Sequence, residues 1–194
     1  TGACSAEWVP IKPKTDAAFL FALIHVLLHE VPRARLDLPI LTQRTSSPYL
    51  VGAHGYYLRE RESRQPLVWD TASASARVHD APGIAEALEG RYEVDAIEIG
   101  PDGEVLADGR LEGRTAFTCL VEHMQQYSPE WAQRVCDVPA ATMRRIGNEF
   151  IDHACVGQTT LVDGITMPYR PVAVTLGKTV NNGWGGYECC WART

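Results

Sequence analysis

The longest block of apolar positions runs from Ala17 to Leu28, where nearly every helical face carries a hydrophobic side chain. Thr15 and Asp16 precede it, which places a capping candidate and an acid where a helix would begin. The pattern predicts a helix from about Asp16 to His29, ended by Pro32. Because a helix without a polar face has to be buried, its first turn is predicted to be held rigidly.

Helical spacing of apolar residues returns in the second half of the chain. One helix is predicted over Thr115–Tyr127 and another over Pro139–His153. Between them a shorter helix is predicted to begin at Ser128, with that serine as the N-cap and Pro129 at the first helical position. The chain is therefore expected to contain about four helices.

Between the first helix and this second group, short apolar runs with turn signals predict strands. The predicted strands are Tyr49–Val51, Tyr56–Leu58, Leu67–Asp70, Tyr92–Ile99 and a further one within Met167–Val174. Tyr92–Ile99 alternates as a strand with one wet face does. Residues 33–50 contain Pro39 and Pro48 and are predicted to form an extended connector. The mixture predicts one α/β region over residues 1–194, a Rossmann-like three-layer unit with short strands.

Composition and charge restrict the class of protein. The chain has 194 residues, of which 45% are hydrophobic and 22% charged, as in soluble globular domains. Its net charge of -6 and the lack of a basic run argue against nucleic acid as a partner. The apolar run is shorter than the roughly 20 residues that a membrane-spanning helix needs, so no direct membrane insertion is predicted.

The cysteines and histidines do not form a recognisable metal motif. None of the six cysteines forms a CxxC pair, and we interpret them as small buried hydrophobes or free thiols. His25 and His29 are one helical turn apart, but no HExxH glutamate lies between them. His25 is predicted to be a core histidine with a hydrogen-bond partner, and no metal ligand is predicted.

Thr15 and Asp16 are the first candidates for ligand binding. Plain helix capping would explain both residues. The alternative is a nucleotide site, because the free N–H groups of a helix N-terminus attract anions. Asp16 would oppose a phosphate there, whereas its two carboxylate oxygens match the paired N–H donors on one edge of guanine. If a nucleotide binds at this point, Asp16 is therefore predicted to recognise the base.

Two further segments could carry polar contacts. Asn181, Asn182 and Gly183 lie in a glycine-rich stretch where backbone can approach a ligand closely, although Asn-Gly is also a common turn signal. Arg170 lies between two prolines that could fix the direction of its guanidinium. An anion and a surface salt bridge are equal alternatives for its partner.

These segments together resemble a known family. Trp8–Ala18, WVPIKPKTDAA, resembles the W-x-P-I-x-P-G-T-D-x-A-L motif of the molybdopterin oxidoreductases related to dimethyl sulfoxide reductase. Other segments resemble further family motifs in the same order: Pro48–Val51, Thr115–Phe117 with Tyr127–Glu130, Val138–Ala141 with Ile146 and Glu149, and Thr179–Ala192. The resemblance covers nearly the whole chain.

The resemblance implies a cofactor and a set of residues that contact it. In the family this motif opens a buried helix in an α/β domain that holds part of molybdenum bis(molybdopterin guanine dinucleotide), and its aspartate contacts guanine. The cofactor-binding residues implied here are Lys12, Pro13, Thr15, Asp16, Asn181, Asn182 and Gly183. Lys14 replaces the usual glycine, which resembles a subgroup that includes tetrathionate, thiosulfate or polysulfide reductases and phenylacetyl-CoA acceptor oxidoreductase.

The resemblance also implies that the chain is an internal piece of a larger multidomain catalytic subunit. The family's iron–sulfur cysteines and molybdenum ligand lie upstream of the W-x-P-I motif, so this chain is expected to ligate neither, and no catalytic residue is assigned. The expected partners are the remainder of the catalytic subunit, together with an iron–sulfur electron-transfer subunit. On its own, the piece is expected to be inactive. Molybdenum or tungsten, and periplasmic or cytoplasmic location, stay open.

A different class of function is the alternative. The chain would then be a stand-alone α/β domain that binds a nucleotide or a partner protein without catalysis.

Overall fold

A computed structural model describes residues 5–175, 186 and 190–191. The chain divides into two compact units, which we call the helical unit and the sheet unit. The helical unit comprises Thr1–Leu36 and Met124–Thr194, and the sheet unit comprises Asp37–His123. The described part of the chain contains five α-helices and eight strands, so the mixed α/β class with short strands is confirmed.

Three α-helices and one hairpin lie in the described part of the helical unit. The helices are α1 (Asp16–His25), α4 (Pro129–Cys136) and α5 (Ala140–His153), and the hairpin strands are β7 (Thr159–Val162) and β8 (Ile165–Pro168). A π-helical turn, Val26–Glu30, continues α1, and a 3₁₀ turn follows at Arg33–Arg35. Together α1 and its π-helical turn cover the predicted range. The strand predicted after the prolines of Met167–Val174 is wrong, since β8 ends at Pro168 and residues 169–174 form no strand.

The core of the helical unit lies between α1, α4 and α5. Its buried members are small or apolar: Ala18, Ala22, Ala132, Cys136, Val138, Ala140 and Met143. Gly147 lets α5 approach Val26 closely, since a Cβ at that glycine would lie 2.8 Å from the valine side chain. Ser128 caps α4 as predicted, accepting a hydrogen bond from the Trp131 N–H at 3.3 Å.

Helix α1 is less buried than its apolar sequence predicts. Among its ten residues only Ala18, Ala22 and His25 are buried in the described structure, and the larger side chains are half-buried. Four apolar side chains of α1 and its π-helical turn line a shallow groove with α5: Leu20, Leu23, Ile24 and Leu27. The expectation of a helix buried on all sides is therefore wrong for the described chain.

The sheet unit is built on a four-stranded antiparallel sheet of order β1-β6-β5-β2. Its strands are β1 (Leu50–Val51), β2 (Leu58–Arg59), β5 (Arg91–Ile99) and β6 (Val105–Thr115). The long β5–β6 hairpin forms its centre. Helices α2 (Leu38–Gln43) and α3 (Ala116–Met124) flank the sheet strands in the chain.

A second hairpin belongs to the same unit. It comprises β3 (Leu67–Asp70) and β4 (Ser75–Val78), joined to the first sheet by isolated bridges at Tyr49–Val68 and Arg59–Pro66. Trp69 stacks on Tyr92 with ring centroids 4.5 Å apart. The core of this unit comprises Leu50, Leu58, Leu67, Val94 and Ala96.

All strand pairs among the described residues are antiparallel. A Rossmann unit instead needs parallel strands joined by helical crossovers. The described strands therefore do not form the Rossmann-like three-layer unit that the sequence predicted. The physical reason is connectivity: β5 and β6 are joined by a short turn at Pro101–Gly103, which permits only an antiparallel pair. The prediction of one region over residues 1–194 stays a prediction.

Within the described residues, no helix combines the length and the apolar character needed to cross a membrane.

Candidate functional site

The loop before α1 is held from two sides within the helical unit. Val9 and Ile11 pack against the core beneath α1 and α4. In the middle of the loop, the Lys12 N–H donates a hydrogen bond of 3.0 Å to the carbonyl oxygen of Cys136, at the end of α4. Because side-chain packing and a main-chain bond act together, the loop presents its polar residues in a defined position.

Thr15 occupies the predicted N-cap position but bonds differently from the prediction. Its side chain makes no capping hydrogen bond to the first turn of α1. The hydroxyl instead donates to the carbonyl oxygen of Lys12 at 2.6 Å, which closes the turn Lys12–Thr15. The prediction of a capping threonine is therefore correct for the position and wrong for the hydrogen bond.

Lys14 explains why that turn is tight. Its φ of 69° lies in the left-handed region, where a side chain costs about 1–2 kcal/mol and glycine costs nothing. The resembled motif commonly has glycine at this position. The structure thus shows that Lys14 adopts a backbone conformation that a glycine would favour.

Asp16 is the first residue of α1, and its side chain is half-buried. Its carboxylate lies in the first turn, where the helix dipole favours a negative charge. Lys12 and Pro13 are exposed beside it, and Thr15 is half-buried. The structure thus brings these four predicted residues together in one turn, with the acid accessible to a ligand.

The other predicted segment cannot be placed. Asn181, Asn182 and Gly183 lie outside the described residues. Their cofactor role stays a prediction.

Arg170 contacts the backbone on both sides of the β7–β8 hairpin. Its guanidinium donates to the carbonyl oxygens of Cys155 at 3.0 Å, Gln158 at 3.3 Å and Tyr169 at 2.8 Å. These bonds hold the base of the β7–β8 hairpin. These contacts give Arg170 a structural role at the hairpin, and the alternatives of a bound anion or a surface salt bridge stay predictions.

The prediction of a core role for His25 and the interpretation of cysteines as free thiols agree with the structure where it describes them. His25 is buried, and its Nδ1 lies 2.9 Å from the carbonyl oxygen of Met124, as expected of a core histidine. Cys119, Cys136, Cys155 and Cys190 are free thiols. Within the described residues no group of three or more His, Cys, Asp or Glu side chains could hold a metal ion.

The sequence interpretation missed a buried carboxylate in the sheet unit. Glu98, on β5, is 1% exposed. Its Oε1 accepts hydrogen bonds from the N–H groups of His54 at 2.9 Å and Tyr56 at 3.1 Å, and its Oε2 lies 2.9 Å from His54 Nδ1. Gly52 leaves room for this carboxylate, because a Cβ there would collide with it. The sequence signal for this burial was the alternation of side chains along β5, which places Glu98 on the same face as Val94 and Ala96.

Comparison with known proteins finds similarity to one part of a dehydrogenase subunit. No protein-family model matches the chain. The chain is 31% identical over 161 residues to a sulfite dehydrogenase subunit of Allochromatium vinosum. The similarity covers 76% of this chain and 15% of that relative, so the chain spans less than a sixth of its length.

Proposed function

We propose that this chain is the central α/β part of a molybdenum or tungsten oxidoreductase catalytic subunit, where it contributes contacts to a bis(molybdopterin guanine dinucleotide) cofactor. The similarity to a sulfite dehydrogenase subunit carries the proposal. The resemblance of Trp8–Ala18 to the W-x-P-I motif supports the finer assignment of the cofactor.

The donor and acceptor groups at the start of α1 fit one end of such a cofactor. The half-buried Asp16 carboxylate offers two acceptors, which match the ring N–H and amino group of guanine. Thr15 uses its hydroxyl hydrogen on the Lys12 carbonyl, so its oxygen stays available as an acceptor. A negative side chain at this position favours the base over a phosphate, because two anions would repel each other.

In this proposal the protein holds and orients the cofactor. Bound in the complete enzyme, the cofactor would supply the oxygen-atom or electron-pair transfer at its metal. Asp16 and Thr15 would fix the guanine end, and the anchored turn Lys12–Thr15 would keep both groups in place without rearrangement on binding. Asn181, Asn182 and Gly183 would line the cofactor or the substrate funnel.

The proposal includes partners. The remainder of the catalytic subunit would supply the metal ligand and complete the cofactor cleft. An iron–sulfur cluster bound outside this chain, and an iron–sulfur electron-transfer subunit, would carry electrons to or from the metal. This segment alone would therefore be inactive.

The test is to remove the base-recognising acceptor in the complete protein that contains this chain. Asp16→Ala should lower both the molybdenum or tungsten and the guanine nucleotide bound per polypeptide, because a hydrogen bond to a charged acceptor contributes about 1.5–3 kcal/mol. Metal analysis and nucleotide release after denaturation measure this. Asp37→Asn is the matched control, since Asp37 caps the start of α2 with a 3.4 Å bond from the Ile40 N–H.

The control should retain metal and nucleotide at the level of the unmodified protein. Unchanged metal and nucleotide in Asp16→Ala would contradict the guanine role. A purified protein that binds a nucleotide but contains no molybdenum or tungsten would instead favour the alternative, a binding module without catalysis.

A further inference from the structure

Two adjacent arginines on α5 each bind two carboxylates of the helical unit. Arg145 Nη2 lies 2.7 Å from both carboxylate oxygens of Glu7, and its Nη1 lies 2.9 Å from both oxygens of Glu149. Arg144 binds Glu30 through Nε and Nη2, and it binds Glu130 through Nη1 and Nη2. The two arginines thus connect α5 to Glu7 and to Glu30, which lie before and after α1 in the chain.

Of the two, Arg145 acts on the loop that carries the candidate site. Glu7 is 138 residues away in sequence and stands immediately before Trp8, where the loop begins. Glu149 lies one turn along α5 from Arg145 and binds the other guanidinium nitrogen, Nη1, so its ion pair stays within the helix. The loop is therefore fixed at its start by Glu7, in its middle by the Lys12 N–H and at its end by the Thr15 hydroxyl.

The Arg145–Glu7 ion pair contributes little to the free energy of unfolding. The side chains of Arg145 and Glu7 are 41% and 51% exposed, and exposed pairs contribute about 0–1 kcal/mol. Its geometry is nevertheless specific, because the planar guanidinium directs Nη2 to both oxygens of Glu7 and Nη1 to both oxygens of Glu149 at the same time. The pair therefore defines where the start of the loop lies, rather than whether the unit folds.

We propose that Arg145 is a positioning residue for the candidate site: through Glu7 it fixes the start of the loop and so the presentation of Thr15 and Asp16. The ligand part of this inference rests on the proposed function. The loop part does not, since it concerns the order of residues 8–12 with or without a bound nucleotide.

The experiment compares Arg145→Gln with Glu149→Gln in the complete protein. Arg145→Gln removes both ion pairs of the guanidinium, whereas Glu149→Gln removes the pair within α5 and leaves the pair with Glu7 that holds the loop. Hydrogen exchange of residues 8–12, measured with the nucleotide bound and after its removal, should rise roughly two- to fivefold in Arg145→Gln. Release of guanine nucleotide should accelerate by a similar factor, and the melting temperature should stay within about a degree of that of the unmodified protein.

Glu7→Gln should reproduce both effects, and Glu7→Gln with Arg145→Gln should add nothing further, as expected for two partners of one interaction. Arg145→Lys should restore only part of the effect, since lysine keeps the charge but has one nitrogen where arginine uses Nη2 for Glu7 and Nη1 for Glu149. Equal loop exchange in Arg145→Gln and Glu149→Gln would overturn the proposal. So would faster loop exchange with unchanged nucleotide release.

Failure of the proposed function would look different. It would appear as full nucleotide retention in Asp16→Ala, whatever the loop exchange of Arg145→Gln.

Discussion

The two units place their charged side chains in contrasting ways. In the sheet unit two carboxylates are buried, Glu98 and Asp70, and each is surrounded by backbone N–H donors from a loop. In the helical unit the carboxylates of Glu7, Glu30 and Glu130 stay partly exposed and are bound by arginines of α5.

The difference separates two uses of charge. A buried carboxylate that accepts from several N–H groups holds its loop together, because its removal takes away the shared acceptor of those donors. An exposed arginine pair adds little free energy but fixes which surfaces meet. Substitutions of the buried carboxylates in the sheet unit should therefore change stability, whereas those of the arginine pairs in the helical unit should change local position.

The largest effect is expected at Glu98. Glu98→Ala would leave the His54 and Tyr56 N–H groups without this acceptor and open a cavity, so β5 and residues 52–57 should lose about 3 kcal/mol of local stability. Hydrogen exchange of these segments measures the loss. Glu112→Ala is the matched control, because Glu112 is an exposed carboxylate of the same sheet, 3.3 Å from Arg91. A loss equal to that of Glu112→Ala would remove the contrast between the units.

Asp70 should make the sheet unit sensitive to acid. The Ser73 hydroxyl, which donates at 2.6 Å, and the N–H groups of Ala85 and Ala72 lower the pKa of Asp70 to about 2, from an ordinary value of 3.8. A lowered pKa stabilises the folded state fully above the ordinary value, and this contribution is lost as the pH falls through about 4 toward about 2.

Hydrogen exchange of residues 70–87 should therefore rise between about pH 4 and about pH 2, beyond the intrinsic effect of pH. The same segment in Asp70→Asn should already exchange faster at about pH 5 and change less with acid. Comparison of the two proteins at each pH cancels the intrinsic effect. Parallel exchange profiles for the two proteins would show that Asp70 does not control this loop.

The sequence predicts elements best where one residue pattern decides the outcome. The structure confirms three elements that were predicted from one pattern each: α1 from its apolar run, α4 from its Ser128 cap and β5 from its alternation. Helix α2 was missed because Pro39 was interpreted as part of an extended connector. In the structure Pro39 lies in the first turn and Asp37 caps the helix, a start signal that the sequence contains.

Strand β6 was missed for a different reason. It contains Gly109 and Gly113 and several charges, so its own pattern is weak. Its conformation comes from pairing with β5 along nearly the whole strand, and Gly113 admits Leu58, whose Cδ1 would lie 2.7 Å from a Cβ there. Partners distant in sequence decide such an element, and a single chain does not display them locally.

The same limit applies to the candidate site. The sequence located Thr15 and Asp16 at a helix start, which the structure confirms. It did not reveal that the Thr15 hydroxyl bonds to Lys12, because that depends on the left-handed backbone of Lys14. The ties from Cys136 and Arg145 come from helices more than 100 residues away, and only the tertiary structure brings them to the loop.

The smallest effect on stability is expected at Arg144 of the helical unit, in contrast to the large effect expected at Glu98 of the sheet unit. Glu30 lies at the end of the π-helical turn that continues α1, where the helix dipole disfavours a negative charge. Arg144 offsets this through bonds of 2.8–3.0 Å, and its guanidinium lowers the pKa of Glu130 to about 2. Arg144→Gln should therefore cost at most about 1 kcal/mol, less in high salt because exposed charges are screened.

Hydrogen exchange of residues 26–30 at low and high ionic strength measures this cost. Arg35→Gln, which removes an exposed pair with Asp152, is the matched control and should cost less, since Arg35 has a single carboxylate partner in the described structure. A loss at Arg144 as large as that at Glu98, and unaffected by salt, would mean that the arginine pairs of the helical unit stabilise the fold as the buried carboxylates do. A small, salt-dependent loss would show that they fix position, which is the behaviour that the Arg145–Glu7 pair requires.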